Sequence, residues 1–544
     1  MQDSRGQGPP ADIGTFALTA SVIVYRHVFS GVTYYTAARH GEQGWVLVTH
    51  GTDPAVVIEA AWTYLNGLGG GTLVTIGPGQ TWTINSSIGS QGANITWLSD
   101  WGLCLIAKAN LNNDVVYVTH ENVTLHGLYV DGNENNQGAF SSHCIHFYNA
   151  NYGTVEKCKA VSAKHYGIEL GGTAGTGTCH SWVVDNYVYD CCWNGICIAF
   201  GHDVQVRGND VSGCSDVGIS TWDADQILIE NNVVHENNKN EGFANTHWDI
   251  GTETDSTQVQ IVGNRCYGSA KGISLSGTSG HVQYDMLVNA NTVYNEDNGM
   301  IGSDYVTGLV TSSNVCKTLT NNLPMIISGS HCIDVLIVDN FLSGGYQGIQ
   351  IQGAGGTIVK GNILDGMTQI AIAVEAVTQG LIIGNILRQC TNNHVIRLHD
   401  SLECAVDDNF ICDIGANYAA VYIDASNQCM IRNNYIRAVT LATRYGIGTT
   451  GSCDDIQVIG NYIENVVEGV GVGDGDDWVI CNNRFRGCTE AIDVNNAAVV
   501  RPMIMGNNWE GCTNDINIGA ATNDRITANV DKAGAWYATG DSPA

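Results

Sequence analysis

Fourteen asparagines set at a near-constant spacing restrict the fold of this chain more than any other feature. They stand at positions 186, 209, 232, 264, 291, 314, 340, 362, 385, 409, 434, 461, 483 and 508 of 544 residues. Successive gaps run from 22 to 32 residues, and each Asn follows a short apolar run such as Ile382-Ile383 or Val458-Ile459. A period in this range means stacked repeats, in which one unit buries its apolar face only against its neighbours.

Residues 204–232, VQVRGNDVSGCSDVGISTWDADQILIENN, show the unit in full: a β-branched run, Gly208-Asn209, a polar turn, Val217-Gly218-Ile219 and a second apolar run. Units with two or three short strands and no helical segment are neither leucine-rich nor ankyrin repeats, and a four-stranded propeller blade needs nearly twice the length. The expected fold class is therefore all-β: a single-stranded right-handed parallel β-helix, one coil per unit. The 66 Gly against 7 Pro suit the many positive-φ turns such a solenoid requires.

Ahead of the repeat, residues 51–70 read as an amphipathic helix. Asp53 is a fitting N-cap, Pro54 occupies the first helical position, and Val57, Ala61, Tyr64 and Leu65 fall on one face. A helix there is expected to cap the open end of the solenoid core, as terminal units of repeat proteins require. Residues 1–50 lie outside the repeat, with strands expected over 20–35 and 44–49. The β-helix is expected over 71–530, and 531–544 form a C-terminal tail.

The capping helix, the opening GTLVTIGPGQTWTI, the rung NVTLHGLYVDGN and the recurring Gly-Asn-x-Ile/Val followed by Gly-Ile resemble the pectate-lyase-like β-helix superfamily over roughly residues 51 to 530. That superfamily holds polysaccharide lyases, glycoside hydrolases, epimerases and phage tailspikes, and the resemblance implies the fold without choosing among them. The polygalacturonase set is not intact here: Gly201-His202-Asp203 resembles only its His element, and Asp223 and Asp225 are split by Ala224.

With 23 Lys and Arg against 53 Asp and Glu, the net charge of −30 opposes binding to nucleic acid. No apolar run reaches the roughly 20 residues of a membrane span, and the N-terminal MQDSRGQGPPADIG lacks the apolar core of a signal peptide. An extracellular or virion-surface protein, with a leader already removed or none needed, is expected. The 19 cysteines include no Cys-x-x-Cys pair. Cys191, Cys214, Cys390 and Cys488 each follow a ladder Asn by five residues and Cys512 follows by four, which suits buried thiols stacked in a narrow core.

Chemistry is expected where the repeat is broken. The longest gap, 232 to 264, and the rungs before it carry His165-Tyr166-Gly-Ile-Glu169, Trp193, Gly201-His202-Asp203, Trp222-Asp223-Ala224-Asp225 and His247-Trp248-Asp249, and Lys271 stands on the ordinary rung that follows. Trp193, Trp222 and Trp248, with Tyr166, Glu169 and Lys271, are candidates for holding sugar rings. Asp223, Asp225 and Asp249 are candidates for the carboxylate pair of glycoside hydrolysis, with His202 or His247 as base. Asp also favours the turns of any β-helix and a loop Trp also packs over a rung, so each has a structural reading beside the catalytic one. No cofactor is required. Ca²⁺ is the cation that Asp474-Gly-Asp476-Asp477 would take, although a tight turn explains the same residues. Arg397-Leu-His399-Asp400 is a second polar group.

Two functions fit. One is an extracellular enzyme, hydrolase or lyase, cutting a polysaccharide or cell-surface glycan. The other is a non-catalytic glycan-binding tail fibre, spike or adhesin, expected as a homotrimer.

Overall fold

The computed structural model describes residues 22–41, 44–99, 102–138, 142–237, 248–294, 299–318, 324–353, 355–415, 418–439, 443–494 and 499–518, and the backbone of short strands beyond them. Its chain divides into two compact units, Met1–Ile273 and Ser274–Ala544. Each is a parallel β-solenoid, with about 17 turns between them.

In the first unit every coil contributes three short strands, and each strand pairs in parallel with its counterpart one coil on. The coil before the first ladder Asn reads Thr154–Glu156, Lys159–Val161 and Ile168–Gly171. The next reads Cys179–Val184, Tyr187–Tyr189 and Ile196–Ala199, and the one after it His202–Arg207, Asp210–Ser212 and Ile219–Trp222. Registers are unshifted, so Val155, Val183, Val206 and Ile229 form one inward column and alternate with outward residues such as Gln205 and Leu228. Each inward Val or Ile is removed from water on burial, at about 1.5–3 kcal/mol per side chain. The Ser274–Ala544 unit repeats this arrangement; for example Ile382, Val406, Ile431 and Val458 stack inward.

The asparagines form the ladder expected of them. Asn209 accepts on Oδ1 from both the backbone N and Nδ2 of Asn186, each at 2.9 Å, and its own Nδ2 donates to Asn232 Oδ1 and to the Val183 carbonyl, also at 2.9 Å. Cys158 takes the corresponding place one coil earlier, its N–H donating to Asn186 Oδ1 at 2.8 Å. The residue ahead of each ladder Asn turns the chain with positive φ: Asp185 at 54°, Gly208 at 67°, Asn231 at 55° and Gly263 at 67°. Gly, Asn and Asp tolerate that region best, which is why they recur there.

One ladder assignment is corrected. The last member is Asn507, not Asn508: Asn483 N and Nδ2 donate to Asn507 Oδ1 at 2.9 and 3.0 Å, while Asn508 is exposed. Two adjacent asparagines follow Gly506, and the first of them is the one turned inward. Cys512 then follows its ladder Asn by 512 − 507 = 5 residues, the same offset as Cys191, Cys214, Cys390 and Cys488. All 19 cysteines are free thiols, most of them buried.

Ahead of the coils, the strands expected over 20–35 and 44–49, read as a small sheet or hairpin, are seen from Val22 onward. Strand β1 (Val22–Phe29) turns at Ser30-Gly31, both with positive φ, into β2 (Val32–Gly41), and β3 (Gly44–Gly51) pairs antiparallel with β2. Strand β1 also pairs in parallel with β4 (Gly71–Ile76), which joins the hairpin to the first sheet of the solenoid. Helix α1 (Pro54–Gly67) starts on Asp53, whose Oδ1 accepts from Ala55 N at 3.0 Å. Its buried face is Ala55, Val57, Ile58, Ala61, Trp62 and Leu65; Tyr64 lies at the margin beneath Arg39. Trp62 is fully buried, meets Trp97 edge-on at 5.9 Å and donates to the Gly92 carbonyl at 3.1 Å. The helix thus covers apolar side chains that the first coil would otherwise show to water.

Candidate functional site

The third strand of each coil in the first unit carries the site. Its outward column runs Tyr117, His146, Glu169, Cys197, Ser220 and Gly251, each paired with the next. Large polar side chains at the start give way to small ones. Over Cys197 and Ser220 this leaves a hollow of about 180 Å³, walled by Tyr166, Trp193, Trp222, Asp216 and Glu253. Trp193 is 39% exposed and Trp222 44%, so both indoles keep a free face. Asn194 fixes the floor, donating from Nδ2 to Ser220 Oγ at 2.7 Å.

Glu253 ends the strand Trp248–Glu253, in register with Trp222. Its carboxyl sits at the open rim, and its pKa is raised, first by the partial burial that the pocket walls impose and then by the charge of Asp216. A carboxyl whose pKa is raised beside a second carboxylate is the arrangement acid-assisted bond cleavage uses. No Lys, Arg or His lines the hollow among the described residues.

Beside the hollow, and sharing Tyr166 with it, lies a cluster of His143, His146, His165, Asp114 and Glu169. Asp114 Oδ1 is 2.8 Å from His143 Nδ1 and its Oδ2 2.8 Å from His146 Nδ1. Glu169 Oε2 is 3.3 Å from His143 Nδ1 and 3.2 Å from His146 Nε2. His143 Nε2 meets His165 Nδ1 at 2.7 Å, and His143 stacks on Tyr166 with ring centroids 5.2 Å apart. Burial pushes the Asp114 carboxyl up, but the close approach of His143 and His146 outweighs it and holds Asp114 well below the usual carboxylate range. His146 is raised overall: burial opposes its charge, and the Asp114 hydrogen bond and the charges of Glu169 and Asp114 overcome that. His165 goes the other way, pushed down to about 4 by burial and then by His143.

The residues expected from sequence divide among these places. Tyr166, Trp193 and Trp222 wall the hollow, and Glu169 belongs to the histidine cluster. Trp248 lies under Lys271, whose Nζ is 4.0 Å from the ring centroid and whose pKa burial lowers. His202 and Asp225 pair with each other one coil apart at 3.0 Å, on the first-strand sheet and not on the third. Asp223 is in the intervening turn at φ 47° and accepts on Oδ1 from Asp255 N at 3.1 Å. Asp249 is fully buried and accepts from Asn237 Nδ2 at 2.8 Å and from Ser269 Oγ at 2.5 Å. His247 lies outside the described residues. At Asp476-Asp477 the charge is already met by a protein cation, because Arg501 holds Asp477 through two bonds of 2.7 and 2.8 Å. In the second unit His399 pairs with Asp424 at 2.9 Å, and Arg397 bridges Asp424 and Glu375.

Sequence reasoning missed Asp114, His143, His146 and Asp216, and it reached Glu253 only as the end of the His247-Trp248-Asp249 segment, without giving it a role. The signal for the histidines was His143-Cys-Ile-His146, which stands one coil before His165-Tyr166 at the same point of the repeat.

Two family models match the chain. One describes a right-handed β-helix region and covers residues 110–293, and the other, described as periplasmic copper-binding protein NosD, covers 303–479. The histidine cluster falls outside the second match. No curated protein matches. Similar solved structures include the A-module of mannuronan C-5 epimerase AlgE4 from Azotobacter vinelandii, 13% identical over 77% of this chain and 93% of that one, with a TM-score of 0.32. The N-terminal fragment of gene product 12 of bacteriophage phi29 is 12% identical over 91% and 94%, with a TM-score of 0.44. The tailspike of Escherichia coli bacteriophage HK620, solved with a pentasaccharide, is 14% identical over 76% and 72%, with a TM-score of 0.41. The family model for residues 110–293 adds right-handedness to the coil-by-coil pairing there, and the chain as a whole is an all-β parallel β-solenoid protein.

Proposed function

We propose that this chain binds a glycan across the Trp193–Trp222 hollow and hydrolyses it, with Glu253 as the acid and Asp216 as its partner carboxylate. The observation that carries the reading is one hollow lined by two half-exposed indoles and by two carboxyls, Asp216 and Glu253, with the pKa of Glu253 raised. Sugar C–H faces stack on the indoles, and the ring that fills the hollow displaces water from Glu253 and favours its protonated form further. Glu253 then protonates the glycosidic oxygen, while Asp216 activates water or attacks the anomeric carbon. β-Elimination needs a base and a cation to quench a uronate, and the hollow is lined instead by acids, which favours hydrolysis of neutral or amino sugars.

Asp249, from inside the core, holds the strand that presents Glu253. The exposed His202–Asp225 pair and Asp223 flank the bound chain, as does Trp248 beneath Lys271. On this reading the protein works outside the cell or on a virion surface, and a trimer is the assembly to look for by light scattering.

The test is a panel of neutral, amino and acidic polysaccharides read by reducing ends and by binding. Cleavage of a neutral or amino polymer is expected, falling about 100-fold or more in Glu253→Gln with binding retained. Unaltered cleavage by Glu253→Gln would refute the assignment. Binding without cleavage by the unmodified protein would favour the non-catalytic spike or adhesin.

A further inference from the structure

The Asp114–His143–His146–Glu169 cluster plays no part in that chemistry, and its geometry does not resolve as a hydrogen-bond network. His146 Nδ1 is spoken for, 2.8 Å from Asp114 Oδ2. A neutral His146 that donates from Nδ1 leaves Nε2 bare, and Nε2 is buried, without a hydrogen bond, 3.2 Å from Glu169 Oε2. His143 shows the same condition. Its Nε2 is bonded to His165 at 2.7 Å, and its Nδ1 is buried without a hydrogen bond although Asp114 Oδ1 lies 2.8 Å away and Glu169 Oε2 3.3 Å away. Neither oxygen stands where an N–H on Nδ1 would point. Asp114 Oδ1 is meanwhile pinned by the His143 backbone N–H at 3.0 Å. The four side chains are between 8% and 13% exposed, so water has little access to the nitrogen and oxygen atoms that face one another.

We infer that this cluster is a binding site for one divalent transition-metal ion of the zinc type, with Asp114, His143 and His146 as its core ligands and Glu169 Oε2, 3.3 and 3.2 Å from the two imidazoles, placed to close in as the fourth. Bonds of about 2.0–2.1 Å in a tetrahedron set neighbouring ligand atoms roughly 3.3 Å apart; Glu169 Oε2 lies 3.3 and 3.2 Å from the two imidazoles, and Asp114 Oδ1 is closer, 2.8 Å from His143 Nδ1. Ligand atoms of Asp114, His143 and His146 all lie within 4.8 Å of one another. Each imidazole has a partner on its other nitrogen, Asp114 Oδ2 for His146 and His165 for His143, which is how metal-bound histidines are oriented and their tautomers set. Two imidazoles and two carboxylates suit zinc, and also copper or iron, whereas Ca²⁺ takes oxygen ligands and is excluded by this donor set. The site shares Tyr166 with the glycan hollow but rests on none of the reasoning given for it.

The experiment uses the full chain, stripped with a chelator and titrated with Co²⁺ and with Zn²⁺. One equivalent is expected to bind, to raise the unfolding temperature, and to show Co²⁺ d–d absorption without a thiolate charge-transfer band. That last feature separates the site from the free cysteines. His146→Ala should weaken binding at least 100-fold, and the isosteric Glu169→Gln, which keeps the packing, at least tenfold. His180→Ala, at an exposed His–Asp pair elsewhere, should leave it unchanged. Absence of a bound equivalent, a thiolate band, or undiminished binding in both Glu169→Gln and His146→Ala would overturn the assignment.

Discussion

Asn507→Ala and Asn508→Ala form a pair that reads the register of the last ladder step. Asn507 Oδ1 accepts from Asn483 N and Nδ2 at 2.9 and 3.0 Å, and its Nδ2 donates to the Ile480 carbonyl at 2.8 Å. Truncation removes all three, in a place with no room for bulk water. At about 1 kcal/mol net per bond, the coil loses about 3 kcal/mol. Asn508 contributes a backbone N–H to the Asn483 carbonyl at 2.9 Å, which alanine keeps, and its side chain faces solvent, so its loss should stay within about 0.5 kcal/mol. Coils near a terminus open locally, so the measurement is amide hydrogen exchange of Asn483 under native conditions. At 1.36 kcal/mol per factor of ten, exchange should accelerate roughly 150-fold in Asn507→Ala and by less than about threefold in Asn508→Ala. Equal effects, or a larger effect at 508, would refute the ladder assignment and the cysteine offset that follows from it.

Other outcomes are open to measurement. Trp193→Ala and Trp222→Ala should each weaken glycan binding roughly tenfold, about 1.4 kcal/mol, while urea unfolding moves by less than about 1 kcal/mol because both rings stand outside the core and are half-exposed. Because the folded-state pKa of Glu253 is raised, its protonated form is favoured by the fold: that contribution is present below the ordinary Glu pKa and lost as pH rises through the raised one. Cleavage should fall along the same alkaline limb, and Glu253→Gln should remove the limb from the stability profile; a profile that keeps it would exclude Glu253 as its source. Trp62→Ala should cost about 3–5 kcal/mol in urea unfolding, since it empties the space under the helix and strips the Gly92 carbonyl of its donor.

The fold was legible because its determinants are periodic. A buried Asn needs its partner one coil away, and the turn before it needs positive φ, so both recur in sequence wherever a coil closes. The slip at Asn508 arose where two adjacent asparagines both fitted the spacing, and only the direction of the side chain separates them. The aromatic walls Tyr166, Trp193 and Trp222 were legible for the opposite reason: they interrupt the repeat beside its Gly-Ile steps. Carboxylates were not. Asp249 and Glu253 lie four residues apart on one strand, yet Asp249 turns into the core toward Asn237 and Ser269 while Glu253 reaches the rim. Asp223 and Asp225 fall past the strand end, where the corner of the coil carries Asp225 onto another sheet. Asp114, His143 and Glu169 come from three coils, and no local pattern links residues so far apart in the chain.

Tyr166 is common to both constellations. One of its neighbours is His143, at a ring-centroid distance of 5.2 Å, and another is Trp193 at 6.4 Å. A cation bound as proposed would order His143 and so act on a ring that also walls the hollow proposed for sugar. Whatever factor a bound ion imposes on sugar affinity, sugar must impose the same factor on affinity for the ion. With both ligands bound, the two occupancies would be linked through one phenol ring, and a titration of either ligand in the presence of the other measures that link directly.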